Sequence, residues 1–449
     1  MSEPIDFALI SQDTHVVKFI TKFCEDMNYA FKIWSNEVAF FEDQEKDLVK
    51  IRMIMISALS DSNMNGITQK IQAAKLFCPK GFVCCVVPQK IPKEEAAFAI
   101  KSGANVIILE TELETSSKLE YFCTHIIRDE FIPIKTTDLT QGMVLPFNVY
   151  YYVSQRNKFL VCGNEGILLN ADKFDKMKKQ SEFYIKRIDI DKYEGYINDS
   201  DYKTTSKIER RCRIQYLTLC WNYAEFVCLL TDYSKFNSFQ EGKTLLNSCK
   251  DLCGKLINSL AAVDDLWEVI NLRVEEGSTI SHIPAITAYA GLFALKLDLK
   301  TVEDIMITVL LSDVGLIFMH PSINRKMKKN GLKDLTADEL AIYKAHPLQG
   351  MKIALDRKLP LTRTIRELME NTHEVVDGSG FPRGKRGDAL SAESLIIQFA
   401  YEYHERSMLR SGKAPISIKD FNQMLLKDAT SMERYRPSFV NNMKKFLLC

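Results

Sequence analysis

Four stretches in the C-terminal part of the chain hold the side chains best suited to chemistry: SHIPAITAYAGLFALKL, LLSDVGLIFMHPSINRK, AIYKAHPLQGMKIAL and NTHEVVDGSGFPRG. Each sets a histidine or an aspartate close to the apolar face of a helical pattern: His282, Asp313, His346 and, beside Glu374, His373. Imidazole and carboxylate are metal-capable donors, suited to Fe, Mn or Zn. Singly, each has a plain structural reading. His282 can start a helix, His346 precedes a helix-opening Pro347, and Asp313 can cap a turn before Gly315. Asp377-Gly378-Ser379-Gly380 is an ordinary turn sequence. Taken together, in this order and spacing, they are harder to dismiss. Gly378 and Gly380 permit close approach of backbone to a ligand, and Pro382 stiffens the exit.

The chain that must position these groups has 449 residues, a length that predicts about three domains. Hydrophobic residues at 46% and charged residues at 26% are those of a globular protein. A formal net charge of +1 gives no long-range bias toward a nucleic acid polymer or an anionic membrane. No apolar run approaches the roughly 20 residues of a bilayer span, and MSEPIDFALI lacks the basic-then-apolar pattern of a signal sequence. Twelve scattered cysteines, mostly inside apolar segments such as FVCCVV, read as buried thiols in a reducing cytoplasm.

Four segments are expected: 1–130, 131–200, 201–275 and 276–449. In the first, DFALIS, IRMIMIS, FVCCVV and NVIIL read as strands buried on both faces, separated by helical patterns, which is the signature of a parallel sheet. The order and spacing resemble the receiver domain of bacterial two-component systems, a flavodoxin-like fold. That resemblance implies an acidic cluster after the first strand, an aspartate ending the third and a lysine ending the fifth. Ser11-Gln12, Ser57 and Glu110-Thr111 stand in those places. Asp13 and Asp61 read as solvated turn carboxylates. A pseudo-receiver is therefore expected, unable to form an acyl phosphate. The second segment reads as a small β-rich adaptor, with IPIKTTDL, a hairpin turning at Asn157-Lys158, GILLN and FYIKRIDI. The third is helical. Its stripe of Leu245, Cys249, Leu252, Leu256, Leu260, Val263, Leu266 and Ile270 is expected to pack inside the domain, with a homodimer through 201–275 as the sharper alternative.

The fourth segment reads as all helix, and from about Ser278 onward it resembles the HD-GYP family of metal-dependent phosphohydrolases, which in bacteria cleave cyclic di-GMP. LLSDVGLIFMHPSI is similar to the segment carrying the family's His-Asp pair. LTADELAIYKAHPLQG is similar to its acidic helix and following histidine, and THEVVDGSGFPRG to its Gly-Tyr-Pro motif, with Phe381 in place of tyrosine. The resemblance implies metal ligands at His282, Asp313, His346 and His373, with Asp313 also catalytic, and ligand contacts at Lys326, Gly380, Phe381 and Pro382. It equally implies losses. Ser312, Thr372, Tyr401 and Ser278 stand where ligands are expected, Leu316 replaces a lysine and Val375 an arginine. Glu402 or His404 is the candidate to replace the missing aspartate. Arg383, Lys385, Arg386, Arg325, Lys328 and Lys329 read as solvated charges, though a cyclic dinucleotide needs some such cations.

Phosphodiester hydrolysis by this route needs two or three ions roughly 3.5–4 Å apart with a bridging hydroxide. The remaining set suits no ion, or one or more transition ions (Fe, Mn or Zn) at reduced occupancy. The expectation is thus a cytoplasmic bacterial signalling protein, a pseudoenzyme acting through contacts with other signalling proteins and by holding cyclic di-GMP without efficient hydrolysis. The alternative is a phosphodiesterase with an altered ligand set.

Overall fold

Strands that are apolar on both faces need cover on both faces, and the N-terminal segment supplies it. The computed structural model describes residues 5–43, 51–59, 64–79, 81–127, 131–153, 158–179, 182–199, 205–232, 239–260, 282–407 and 418–447. β1 (Phe7–Ile10), β2 (Phe31–Trp34), β3 (Met53–Ser57), β4 (Phe82–Val87) and β5 (Val106–Leu109) form a parallel sheet in the order β2-β1-β3-β4-β5, the flavodoxin-like order. Alternate residues feed two cores. Ala8, Ile10, Ile54 and Ile56 belong to one, and Phe7, Leu9, Met53 and Met55 to the other.

Helices α1 (Thr14–Met27), α2 (Glu37–Glu42), α3 (Met64–Phe77), α4 (Lys93–Lys101), α5 (Glu112–Thr115) and α6 (Lys118–Ile127) accompany the strands. Ser57 ends β3 as a buried residue, and Ser11 and Glu110 follow β1 and β5. Asp13 is not a free turn carboxylate; it caps α1 by accepting from Val16 N at 2.9 Å. Asp61 lies outside the described residues.

The next sheet is antiparallel: β6 (Phe131–Lys135), β7 (Val149–Val153), β8 (Lys158–Gly163) and β9 (Glu182–Lys186), in the order β6-β9-β7-β8. The predicted hairpin pairs as β7 with β8, while residues 154–157 of its turn lie outside the described residues. GILLN is not a strand. Leu168 makes only a single bridge to Val144, and Ile167 and Leu168 stay about half exposed at 51% and 52%, so no core rewards further pairing. Of FYIKRIDI only the first half is strand. It runs into a 3-10 turn (Arg187–Asp189) and α8 (Ile190–Asp199), and with α7 (Ala171–Met177) this makes the segment more helical than expected. Asp138, fully buried, accepts from Tyr193 Oη at 2.6 Å and Lys135 N at 2.9 Å and pairs with Arg213 of α9 (Thr205–Leu230), fastening the small sheet to the helices beyond it.

α9 and α10 (Phe239–Leu260) pack in one core with α11 (His282–Lys296) and α12 (Val302–Ser312). The stripe of Leu245, Cys249, Leu256 and Leu260 is spent inside this core, with Leu252 packed against it, so it is not an outward dimer face; Val263, Leu266 and Ile270 lie outside the described residues. No described helix is long and apolar enough to cross a membrane.

After α12 comes a 3-10 segment (Asp313–Phe318), then α13 (Pro321–Asn330), α14 (Ala337–Lys344), α15 (His346–Asp356), α16 (Arg363–Met369), α17 (Ala392–Ser407), α18 (Ile418–Lys427), α19 (Ala429–Met432) and α20 (Pro437–Leu447). Where the 3-10 segment crosses α15, backbones nearly touch. A Cβ at Gly315 would lie 2.2 Å from His346 O, and one at Gly350 would lie 2.7 Å from Ser312 O. Glycine at both positions brings Asp313 and His346 within reach of each other.

Candidate metal centre

Three of the four expected ligands converge. Asp313, His346 and His373 offer ligand atoms that lie within 4.8 Å of one another, each delivered by an element boundary. Asp313 opens the 3-10 segment, His346 is the first residue of α15, and His373 follows α16 and bridges to Phe381. His346 Nε2 is 3.3 Å from Asp313 Oδ1 and 3.1 Å from His373 Nε2. The outer nitrogens fix the tautomers. His346 Nδ1 sits 2.7 Å from Tyr343 O, a pure acceptor, so it carries the proton, and His373 Nδ1 sits 3.3 Å from Gln398 Oε1. With an ion between them, both Nε2 atoms would turn lone pairs toward it. One first-row ion with bonds of roughly 2.0–2.2 Å spans edges of this length, so the residues fit a single metal ion.

His282 does not join them. It stands at the first turn of α11, where its Nδ1 faces His404 Nε2 of α17 at 3.3 Å. The expected substitutes are elsewhere too: His404 is that partner, and Glu402 binds Tyr435 Oη at 2.8 Å and Arg406 at 2.9 Å. Tyr401 turns inward instead. Its hydroxyl donates to Asp313 Oδ1 at 2.8 Å and lies 3.1 Å from Ser312 Oγ, while its ring meets His373 edge-on at 4.6 Å. A neutral phenol thus fills the space between the altered His-Asp pair and the histidine of the last motif. Thr372 is turned away, its hydroxyl bonded back to Leu368 O and Met369 O, and Ser278 lies outside the described residues.

The loop closes over this group. Phe381 lies 4.6 Å from the His373 ring at 30°, and its N–H donates to His373 O at 3.1 Å. Gly380 is required here, since a Cβ would sit 2.5 Å from His373 O and 2.6 Å from Glu374 Cα. Pro382 follows on a cis peptide. Glu374, fully buried, accepts from Arg383 N at 2.6 Å and Lys385 N at 2.9 Å, pinning the loop from inside. Lys326 is committed to Glu339, with Nζ 2.7 and 2.8 Å from the two carboxylate oxygens. Sequence reasoning missed Tyr401 as the occupant and Tyr343, Gln398 and Glu374 as supports. Gln398 and Tyr401, three apart on one helix, share a face that could have shown it.

Burial alone would raise the Asp313 carboxyl. The neighbouring His346 and His373 rings and the Tyr401 hydroxyl outweigh that and hold it below the ordinary carboxylate range. Burial, reinforced by the neighbouring His346, pushes His373 down to about 3, and burial with His282 nearby does the same to His404. Both rings are neutral at pH 7. Between pH 6.5 and 3 the unfolded chain holds protons that these two refuse, so stability is full above the unfolded value and falls on acidification. Going from pH 7 to 5 should cost about 2 kcal/mol for each histidine, read as a lower denaturant midpoint at pH 5 that His404→Phe partly abolishes.

Residues 258–437 match the HD domain family. Among curated relatives, a cyclic di-GMP phosphodiesterase response regulator, RpfG, of Xanthomonas campestris is 29% identical over 131 residues, 29% of this chain and 33% of its own. A cyclic di-GMP phosphodiesterase of Thermotoga maritima is 25% identical over 185 residues, 40% and 48%. A 3'3'-cGAMP-specific phosphodiesterase 2 of Vibrio cholerae is 28% identical over 180 residues, 40% and 33%. The chain thus spans a third to a half of the length of these relatives. The solved structure of Bd1817, a HDG"Y"P protein of Bdellovibrio bacteriovorus, aligns with 71% of this chain and 99% of its own at TM-score 0.42 and 18% identity. The C-terminal part of the chain is an HD domain. Its motifs are similar to those of the HD-GYP group, with Ser312, Thr372 and Phe381 standing where the two signatures differ.

Proposed function

We propose that this chain is a cytoplasmic signalling protein whose HD-GYP domain holds one transition metal ion, Fe, Mn or Zn, and binds a cyclic dinucleotide such as cyclic di-GMP without efficient hydrolysis. Its pseudo-receiver, with Ser57 in the phosphoacceptor place, serves as a docking surface for other signalling proteins. One observation carries the reading: the Tyr401 hydroxyl bonded to both Ser312 and Asp313. The family places a carboxylate at Tyr401 and an imidazole at Ser312. A neutral phenol there gives a second ion no charged donor, and a bridging hydroxide needs two ions. His346, His373 and Asp313 remain as the holders of one, which would polarise a bound phosphate oxygen; loss of the bridged nucleophile costs several kcal/mol of barrier.

Purified protein given Mn²⁺ or Fe²⁺ should carry at most one ion per chain by elemental analysis and leave cyclic di-GMP uncleaved, while His373→Ala should lose the ion. Turnover abolished by His373→Ala, or two ions per chain, would establish instead a phosphodiesterase with an altered ligand set.

A further inference from the structure

The receiver-like domain sits directly on the segment that carries Asp313. Ser117, the buried residue preceding α6, donates its hydroxyl hydrogen to Met319 O at 3.0 Å and accepts from Asn324 Nδ2 at 2.8 Å. The same Asn324 amide donates to Leu316 O at 2.9 Å. Leu316 lies in the six-residue 3-10 segment that begins at Asp313, and Met319 is the residue that ends it. Leu316 O already accepts from Met319 N at 3.1 Å within the turn, and Asn324 adds a second hydrogen to it, whereas Met319 O, beyond the last bond of the turn, is satisfied by Ser117 of the other domain. Flanking contacts hold the same surface. Arg325 pairs with Glu120 of α6 at 3.3 Å, and the buried Lys118 ammonium donates to Ile107 O at 3.0 Å on β5 and to Thr231 O at 3.4 Å beyond α9.

We propose that Ser117 and Asn324 are positioning residues for Asp313, through which the receiver-like domain sets the metal affinity of the HD domain by a fixed clamp rather than by phosphorylation. This rests on the single-ion reading of the preceding section. The physical reason is short range. A 3-10 turn has poorer hydrogen-bond geometry than an α-helix and shifts readily when its end carbonyls are released. Asp313 is only three residues from Leu316, so such a shift moves its carboxylate relative to His346 and His373. The coupling is reciprocal: an ion that fixes Asp313 must also tighten the Ser117 contact.

The test uses the full chain with Zn²⁺ alone as the probe. Calorimetric titration should show binding weakened about tenfold in Ser117→Ala, the scale of one lost buried hydrogen bond, and largely kept in Ser117→Thr, which retains the hydroxyl. Zn²⁺ should also slow amide exchange across α6 in the unmodified chain but not in Ser117→Ala. A merely structural role would lower the apo melting midpoint and leave both readings unchanged. Should Ser117→Ala fail to fold, Asn324→Ala cuts the same clamp from its half-buried side. Equal affinities in the variants, or an α6 indifferent to bound metal, overturn the clamp alone. A chain that binds no Zn²⁺, or binds it equally well as His373→Ala, overturns the metal reading and the clamp with it.

Discussion

The combined variant Ser312→His, Thr372→His, Tyr401→Asp should raise the metal content from one ion per chain to two or more. It should also bring cyclic di-GMP hydrolysis from background to a rate at least about a hundredfold higher, the scale of a restored transition-state element. The three changes are coupled by space. Ser312 is fully buried, so an imidazole there fits only in the volume that the Tyr401 ring now fills beside His373. Ser312→His alone should therefore destabilise the domain by overpacking, typically 1–3 kcal/mol, and Tyr401→Asp alone should leave a cavity with a second carboxylate facing Asp313. Together they replace phenol and hydroxyl by charged or imidazole donors on either side of Asp313. Metal counting and turnover are both needed. If two ions bind and no hydrolysis follows, the deficit lies in the phosphate cations: Leu316 in the lysine position, and Lys326 held by Glu339.

Much of this pocket was legible, and what was not has identifiable causes. The order of motifs was enough to group Asp313, His346 and His373, because Asp313 and His346 lie at helix boundaries and His373 in the short bridge after α16, and their places in the chain set their places in the fold. His282 departs because membership turns on which way the first turn of α11 faces across α17, a tertiary fact that periodicity does not encode. Tyr401 could be read as a lost ligand, but not as a hydroxyl bonded to two neighbours. In the first sheet, β2 escaped notice since FKIW is four residues, half-buried and without a continuous apolar run, whereas MIMIS and FVCCVV announce central strands. GILLN misled in the opposite direction. It has strand composition, yet Ile167 and Leu168 find no sheet face to bury against.

Glu374→Ala should be strongly damaging although it leaves every metal donor in place. The carboxylate is fully buried and accepts two backbone hydrogens of the loop, from Arg383 at 2.6 Å and Lys385 at 2.9 Å. Removing it strands both N–H groups and a cavity, for a loss of about 2–4 kcal/mol. Glu374→Gln keeps one acceptor oxygen and turns an amide hydrogen toward the other N–H, so it should cost less but still measurably. Asp377→Ala is the control: that carboxylate accepts from Ser379 N at 2.7 Å in a more open turn, and its loss should cost no more than about 1 kcal/mol. Denaturant unfolding of the full chain gives the three values. The loop also carries Phe381 over His373, so Glu374→Ala should weaken metal binding as well, while Asp377→Ala should not. Equal losses in the alanine variants would mean that the turn, and not the buried carboxylate, holds the loop. Unequal losses in the expected order would mean that the buried glutamate ties down the loop that carries Phe381 over His373.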